Sequence, residues 1–304
     1  MSKFFEALER AEREQALRAG VPSPSPTADP SPSPPPTGPS REVEPAVPAP
    51  AGPPAFEGPG TERTDRSSRV EDHLVSLLNP SSFEAEQYRV LRHVVETLRK
   101  DANLQIVAIT SPGIGDGKTT TAINLAGALA QSADPRVLLA DLDLRRPMVA
   151  RQLGLGRPRR SLVDALLEPS LTLEDTIEHL PRFNLSVLPA AGPAVGPYEL
   201  LRSPRLEALL EDARQRYDYV VLDAPPFAPV PDCRLLAKSV DGFIIVVAAH
   251  RTPRGMLAEV LDLIDPAKVV GLVFNSDDER RSSYYNVYGV APRSARWRRP
   301  WTTS

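Results

Sequence analysis

The sequence predicts an α/β fold built on a doubly wound, mainly parallel sheet, and three observations predict it. Short apolar runs at 104–110, 137–140, 219–222, 242–248 and 269–274 alternate with segments of helical periodicity. These runs are apolar throughout rather than alternating, the pattern of strands covered on both faces. The chain's 34 prolines are unevenly spread, dense between 21 and 69 and sparser beyond, so the later part is well supplied for a core.

Composition excludes several classes. A net charge of −3 argues against a nucleic-acid binder that works by broad phosphate neutralisation. One cysteine, Cys233, rules out an internal disulfide framework and fits a small apolar residue beside the strand at 219–222. No apolar run approaches the ~20 residues that span a bilayer, and the N-terminus lacks a signal-peptide core, so a cytoplasmic protein is expected.

In chain order, residues 1–20 read as an amphipathic helix with Phe4, Leu8 and Ala11 on one face, stopped by Gly20 and Pro22. A partner-docking segment and a weak solvated helix both fit so short an element. Residues 21–69, rich in Ser-Pro and Pro-Ala, form an expected disordered linker. A flexible chain of roughly 50 residues spans about 40 Å, and proline stiffening lengthens it.

The folded domain is expected over 70–280. Ser81 and Glu84 have capping-box spacing at the start of a helix running to Lys100. On its wheel Val90, Leu91, Val94, Val95 and Leu98 share a face expected to pack on the sheet, with Glu86, Arg89 and Arg92 opposite. After the strand Leu104–Thr110 comes Ser111-Pro-Gly-Ile-Gly-Asp-Gly-Lys118-Thr-Thr120, then a helix from Thr119 to Gln131. Glycines 113, 115 and 117 allow backbone N–H groups to turn toward phosphate oxygens, and the helix presents its positive end to the same anion. Lys118 suits the outer phosphates and the Thr119 hydroxyl suits Mg²⁺. The motif departs from strict GxxxxGK[ST] in opening on Pro112.

The strand Val137–Ala140 ends in Asp141-Leu-Asp143-Leu-Arg145, placing two carboxylates at the ligand-binding edge of the sheet. If the strand continued, both would point to one face, within reach of a hydrated Mg²⁺. Glu174–Leu180 and Pro204–Tyr217 read as helices around a strand at Leu185–Leu188. A further strand, Tyr219–Leu222, ends in Asp223-Ala-Pro-Pro. Strands Gly242–Ala248 and Val269–Phe274 flank a helix from Pro253 to Ile264, and Asn275 follows, where an amide suits either a turn or a base edge. Beyond lies a basic tail, 281–304, with Tyr284, Tyr285 and Tyr288 ahead of interspersed Arg and Trp. That Arg/Trp segment suits a membrane surface or an acidic partner.

These motifs, in this order, resemble those of the bacterial tyrosine kinases, P-loop NTPases associated with exopolysaccharide production and export. SPGIGDGKTT resembles the family's Walker A, VLLADLDLRRP its Walker A′ and VVLDAPP its Walker B, over about Ser81 to Tyr288. Glu86-x-x-Arg89-x-x-Arg92 resembles its oligomerisation motif. The resemblance implies ATP and Mg²⁺ held by Gly113, Gly115, Asp116, Gly117, Lys118, Thr119, Thr120 and Asn275, with Thr119, Asp141 and Asp223 on the metal. Catalysis would fall to Lys118, Asp141, Asp143 and Asp223, one of the Walker A′ acids taking the tyrosine proton. Tyr284, Tyr285 and Tyr288 would be phosphorylated in trans within a homo-oligomeric ring joined through Glu86, Arg89 and Arg92. A separate membrane-anchored chain-length regulator would activate the kinase and recruit it to the membrane. A ParA/MinD-type ATPase switch competes, although Gly113 stands where such proteins carry a signature lysine; a third reading is a scaffold without kinase activity.

Overall fold

Seven strands form one sheet in the computed structural model, whose described residues are 69–132, 134–228 and 231–276. The N-terminal helix, almost all of the linker and the tyrosine tail expected from the sequence lie outside those residues. The strands are β1 (Ile106–Thr110), β2 (Val137–Asp141), β3 (Glu178–Leu180), β4 (Leu185–Leu188), β5 (Tyr219–Asp223), β6 (Gly242–Ala248) and β7 (Val269–Asn275). Their order is β3-β4-β2-β5-β1-β6-β7, and every pairing is parallel except β3 with β4.

Alternation along each strand divides the core in two, because successive side chains leave opposite faces of a pleated sheet. Ile106 and Ala108 join one buried cluster, with Leu206, Leu209 and Leu210 of a helix at Pro204–Arg216. Val107 and Ile109 join the other, with Ile123, Leu125 and Leu129. That second face is covered by α1 (Val75–Leu78), α2 (Phe83–Ala102) and α3 (Lys118–Ala130). The remaining helices in chain order are α4 (Val149–Gln152), α5 (Leu162–Leu167), α6 (Pro197–Arg202), α7 (Pro204–Arg216), α8 (Asp232–Leu236) and α9 (Arg254–Leu263). The doubly wound expectation therefore stands, with β7 as a partly exposed edge.

Four local expectations are corrected. Ser82, not Ser81, caps α2, its hydroxyl accepting from Ala85 N at 3.1 Å. Within α2, Val95 is buried and Leu91 and Leu98 are partly so, but Val90 and Val94 are 59% and 41% exposed. The helix lies against α3 rather than flat on the sheet, and one helical neighbour covers a narrower stripe. Arg92 accordingly does not stand on the far face: its guanidinium donates to Ala128 O at 2.9 Å, to Ser132 Oγ and to Glu96 at 2.7 Å. Lastly, Glu174–Leu180 is not a helix. A single 3₁₀ turn, Glu174–Thr176, leads into β3, because the β-branched pair Thr176-Ile177 favours extended backbone and β4 offers an edge to pair with.

The chain leading into α1 is fastened to the C-terminal end of α4. Glu71 N donates to Gln152 O at 2.9 Å, and a Cβ on Gly154, whose φ is +66°, would fall 2.6 Å from the Arg69 carbonyl carbon. From α1, Ser76 N donates to Asn124 Oδ1 at 2.8 Å and Ser76 O accepts from Gln131, so α1 grips α3 at two points.

Candidate functional site

Register places the chemistry. Parallel pairing sets Asp141 of β2 directly beside Asp223 of β5, and Asp223 beside Ile109 of β1. All three strands thus end together, and the loop from β1 to α3 rises next to both carboxylates. In that loop Gly115 and Gly117 have φ of +83° and +102°, conformations that L side chains rarely adopt. At Gly117 a Cβ would lie 1.9 Å from Asn275 Nδ2, so the site needs glycine for room as well as for its backbone.

Side chains brace this loop from outside. Asn275 Nδ2 donates to Asp116 O at 2.9 Å, which gives the residue a bracing job where a base contact was considered from sequence. Arg251 donates to Gly115 O and approaches the Asp116 carboxylate at 3.9 Å. Asp116 is buried and accepts from Gly113 N at 2.9 Å, closing the loop on itself. Gly113 keeps an ordinary backbone, so the left-handed turns fall to the other two glycines. The helix α3 begins directly at Lys118, and the half-buried Thr120 lies in its first turn.

Four side chains converge at the base of the loop. Lys118 Nζ lies 2.7 Å from Asp143 Oδ2 and 3.5 Å from Asp223 Oδ1. Thr119 Oγ1 donates to Asp223 Oδ2 at 2.7 Å. Asp141 accepts from Asp143 N at 3.2 Å on one oxygen and from Met148 N and Val149 N, each at 3.0 Å, on the other. The strand stops at Asp141, so Asp143 reaches the site from a turn and not by the period-two alternation expected of a continuing strand. Asp143 also accepts from Arg146 N at 3.1 Å, which orients it toward Lys118.

Burial and charge set the protonation preferences. Burial works against the Lys118 ammonium, but Asp223 and Asp143 outweigh it and push its pKa up. Burial, then the neighbouring Asp223, raises the Asp141 carboxyl well above the usual range, against the Val149 N–H. Burial likewise raises Asp223, against the opposing pull of Lys118 and the Thr119 hydroxyl. Three buried carboxylates face one ammonium, a set with hard oxygen donors and an excess of negative charge. Those residues fit Mg²⁺, which takes oxygen ligands and keeps waters between itself and carboxylates. Among the described residues no group of three or more His, Cys, Asp or Glu could hold a metal ion unaided.

Glu86, Arg89 and Arg92 lie away from this cluster, on α2: Glu86 and Arg89 pair at 3.0 Å and Arg89 also reaches Pro80 O. Cys233 is buried, its thiol pushed up to about 12 chiefly by burial and donating to Thr110 Oγ1 at 3.4 Å, as an inert core residue would be. Two residues escaped sequence reasoning. Arg251 had no motif to mark it. Asp232, buried and bonded to Arg145, sits in DCRLL, which reads as an ordinary helical start.

Comparison with known proteins now has a geometry to attach to. Residues 104–268 match the AAA domain family. The chain is 32% identical over 230 residues to the tyrosine-protein kinase YwqD of Bacillus subtilis, covering 75% of this chain and 96% of that one. It is also 32% identical over 220 residues to the succinoglycan biosynthesis transport protein ExoP of Rhizobium meliloti, 70% of this chain but 28% of ExoP. Among solved structures, the kinase domain of the Escherichia coli tyrosine kinase ETK superposes with a TM-score of 0.64 at 26% identity, over 70% of this chain and 83% of that one.

Proposed function

This chain belongs to the bacterial tyrosine-protein kinase family, and from that premise we propose that it transfers the γ-phosphoryl group of ATP to tyrosines of its own C-terminal tail, in trans, within a polysaccharide production and export system. It is a protein-tyrosine kinase of that family. The observation that carries the proposal is the meeting of Lys118, Thr119, Asp143 and Asp223 beneath the glycine loop.

In the reaction, a tyrosine oxygen bonds to the γ-phosphorus as the bond to the β,γ-bridging oxygen breaks, ADP departs and the phenolic proton passes to a carboxylate. Glycines 113, 115 and 117, with Asp116 and Thr120, shape the loop around the phosphates. Thr119, Asp141 and Asp223 would hold Mg²⁺, which would supply charge neutralisation on the transferred group. Lys118 exchanges Asp143 for the outer phosphates. That exchange leaves the Asp143 Oδ2 oxygen without its cation, whereas both Asp141 oxygens already accept backbone N–H groups, so Asp143 is the Walker A′ acid with an oxygen open to the tyrosine hydroxyl. Arg251 and Asn275 keep the loop in shape from outside.

Tyr284, Tyr285 and Tyr288 are the proposed acceptors, presented by a neighbouring subunit of a ring that uses Glu86, Arg89 and Arg92. Among the described residues no helix is long and apolar enough to cross a membrane, and the proposed activator is a separate membrane-anchored chain-length regulator. ExoP, by name a biosynthesis transport protein, supports the polysaccharide setting. The test is phosphopeptide mass spectrometry after incubation with Mg²⁺ and ATP, with and without such a regulator's cytoplasmic segment. Phosphate on the tail tyrosines that falls at least about 100-fold in Lys118→Ala is expected. ATP hydrolysis with no phosphotyrosine under any condition overturns the reading.

A further inference from the structure

The third residue of the Walker A′ motif, Arg145, has so far no chemical task, and its partner shows what it does. Arg145 Nε and Nη2 donate to the two oxygens of Asp232 at 2.6 and 3.1 Å, a two-point fork that fixes both position and orientation. The Asp232 side chain is 1% exposed while that of Arg145 is 42% exposed. A carboxylate buried for an ion pair is an inefficient source of stability. Its location is more telling than its energy.

Asp232 opens α8, which follows the turn after β5, whereas Arg145 lies in the turn after β2, 87 residues earlier in the chain. The same turn of α8 reaches β1, since Cys233 Sγ donates to Thr110 Oγ1 and that hydroxyl donates to Pro225 O at 2.8 Å. One helical turn therefore bonds both to the end of β1 and to the turn that follows β2, and through Thr110 it is linked to the segment after β5.

The turn holding Asp143 is tied at its start by Leu142 N, which donates to Asp223 O at 2.9 Å, and by Asp143 N, which donates to Asp141 Oδ1 at 3.2 Å, and it is flanked by the buried Leu142 and Leu144. Further along, the Leu144 carbonyl accepts from Ala194 N at 2.8 Å, and the Asp143 carboxylate is held by Lys118 and Arg146 N. When Lys118 turns from Asp143 to arriving phosphates, the ties left on the turn run from backbone N–H groups to the Asp141 and Asp143 carboxylates and between backbone groups. Among the described residues the Arg145–Asp232 fork is the ion pair between two side chains that still holds it to a neighbouring element. We propose that Asp232 is a positioning residue for phosphoryl transfer, acting through Arg145 to keep Asp143 in place after Lys118 has turned to the nucleotide. This rests on the kinase reading above and extends it to a residue outside the three nucleotide motifs.

Steady-state kinetics of the full chain with Mg²⁺ and ATP test it. Asp232→Asn keeps the size and removes the charge; kcat should fall about 10- to 100-fold, the cost of a misplaced reacting group. The KM for ATP should move by less than about threefold, because Lys118 and the loop are untouched. Arg145→Lys should do the same, since an ammonium cannot make the fork. The double variant should be no slower than the slower single one, and Asp232→Glu should recover part of the loss. A structural role without positioning would lower the melting temperature and leave kcat per folded molecule unchanged. Wild-type kcat in Asp232→Asn, or losses that multiply in the double variant, overturn the proposal. If Asp232→Asn fails to fold, Arg145→Lys decides, its altered group being partly solvent-exposed, and wild-type kcat there overturns the proposal equally. If the wild type hydrolyses ATP without making phosphotyrosine, the kinase reading falls and the same comparison made on the hydrolysis rate judges Asp232.

Discussion

Three buried acids crowd the single ammonium of Lys118, and the crowding has a measurable pH signature. Asp141 and Asp223 take protons more readily in the folded chain than in the unfolded one. Between about pH 4, the unfolded carboxylate value, and their raised folded values, the folded state binds more protons. The sign follows directly: without Mg²⁺, stability falls as pH rises through that window. Lys118 is also raised, but from a value near 10, so it stays charged in both states throughout this window and does not cancel the fall. Urea unfolding between pH 4.5 and 8 should show the decline, and Asp141→Asn or added Mg²⁺ should flatten it; a midpoint that climbs with pH would contradict the assignment. Gly117 offers a second test. Gly117→Ala meets both the left-handed φ and Asn275, and nucleotide binding by a fluorescent analogue should weaken at least about tenfold, an αL side chain costing about 1–2 kcal/mol by itself. Gly117→Ala with Asn275→Ala should regain part of that loss, because only the collision is relieved.

At the level of the element, α2 shows what a periodic pattern conveys and what it leaves out. Its length and cap region were legible from apolar spacing and serines. The covered stripe was not, since Val90 and Val95 are equally apolar and only the position of α3 decides which is buried. Val95→Ala should therefore cost about 2 kcal/mol in chemical denaturation and Val90→Ala less than about 0.5. Equal losses would place the helix differently. The strands β1, β2 and β5 were readable because each is a buried run, and two of them end in an acid, a signal carried within a few consecutive residues. β3 was not, being three residues whose pairing depends on a neighbour. Asp232 was invisible for the same reason at longer range: its meaning lies in Arg145, and nothing in DCRLL records that contact.

For the whole molecule, the triplet proposed above to join subunits separates into two kinds of residue. Glu86 and Arg89 pair at 3.0 Å on a partly exposed face, whereas Arg92 holds α2 to α3. Light scattering across a dilution series should show Glu86→Ala and Arg89→Ala shifting the chain toward monomer while the monomer's stability stays within about 0.5 kcal/mol. Arg92→Ala should also destabilise the monomer by about 1–2 kcal/mol through its lost backbone bond. An unchanged mass in the first two would remove them from the interface. The fastening of the lead-in segment to the end of α4 has a practical consequence for where the chain tolerates a cut. Cleavage ahead of Arg69 spares the bond from Glu71 to Gln152 and the close pass over Gly154. A cut ten residues later severs α1 from the kinase, uncovering the groove that Leu74 fills and unfastening the helix that carries Lys118. Limited proteolysis should accordingly leave a resistant fragment that still contains residue 69, and trimming past α1 should leave a chain that no longer binds nucleotide.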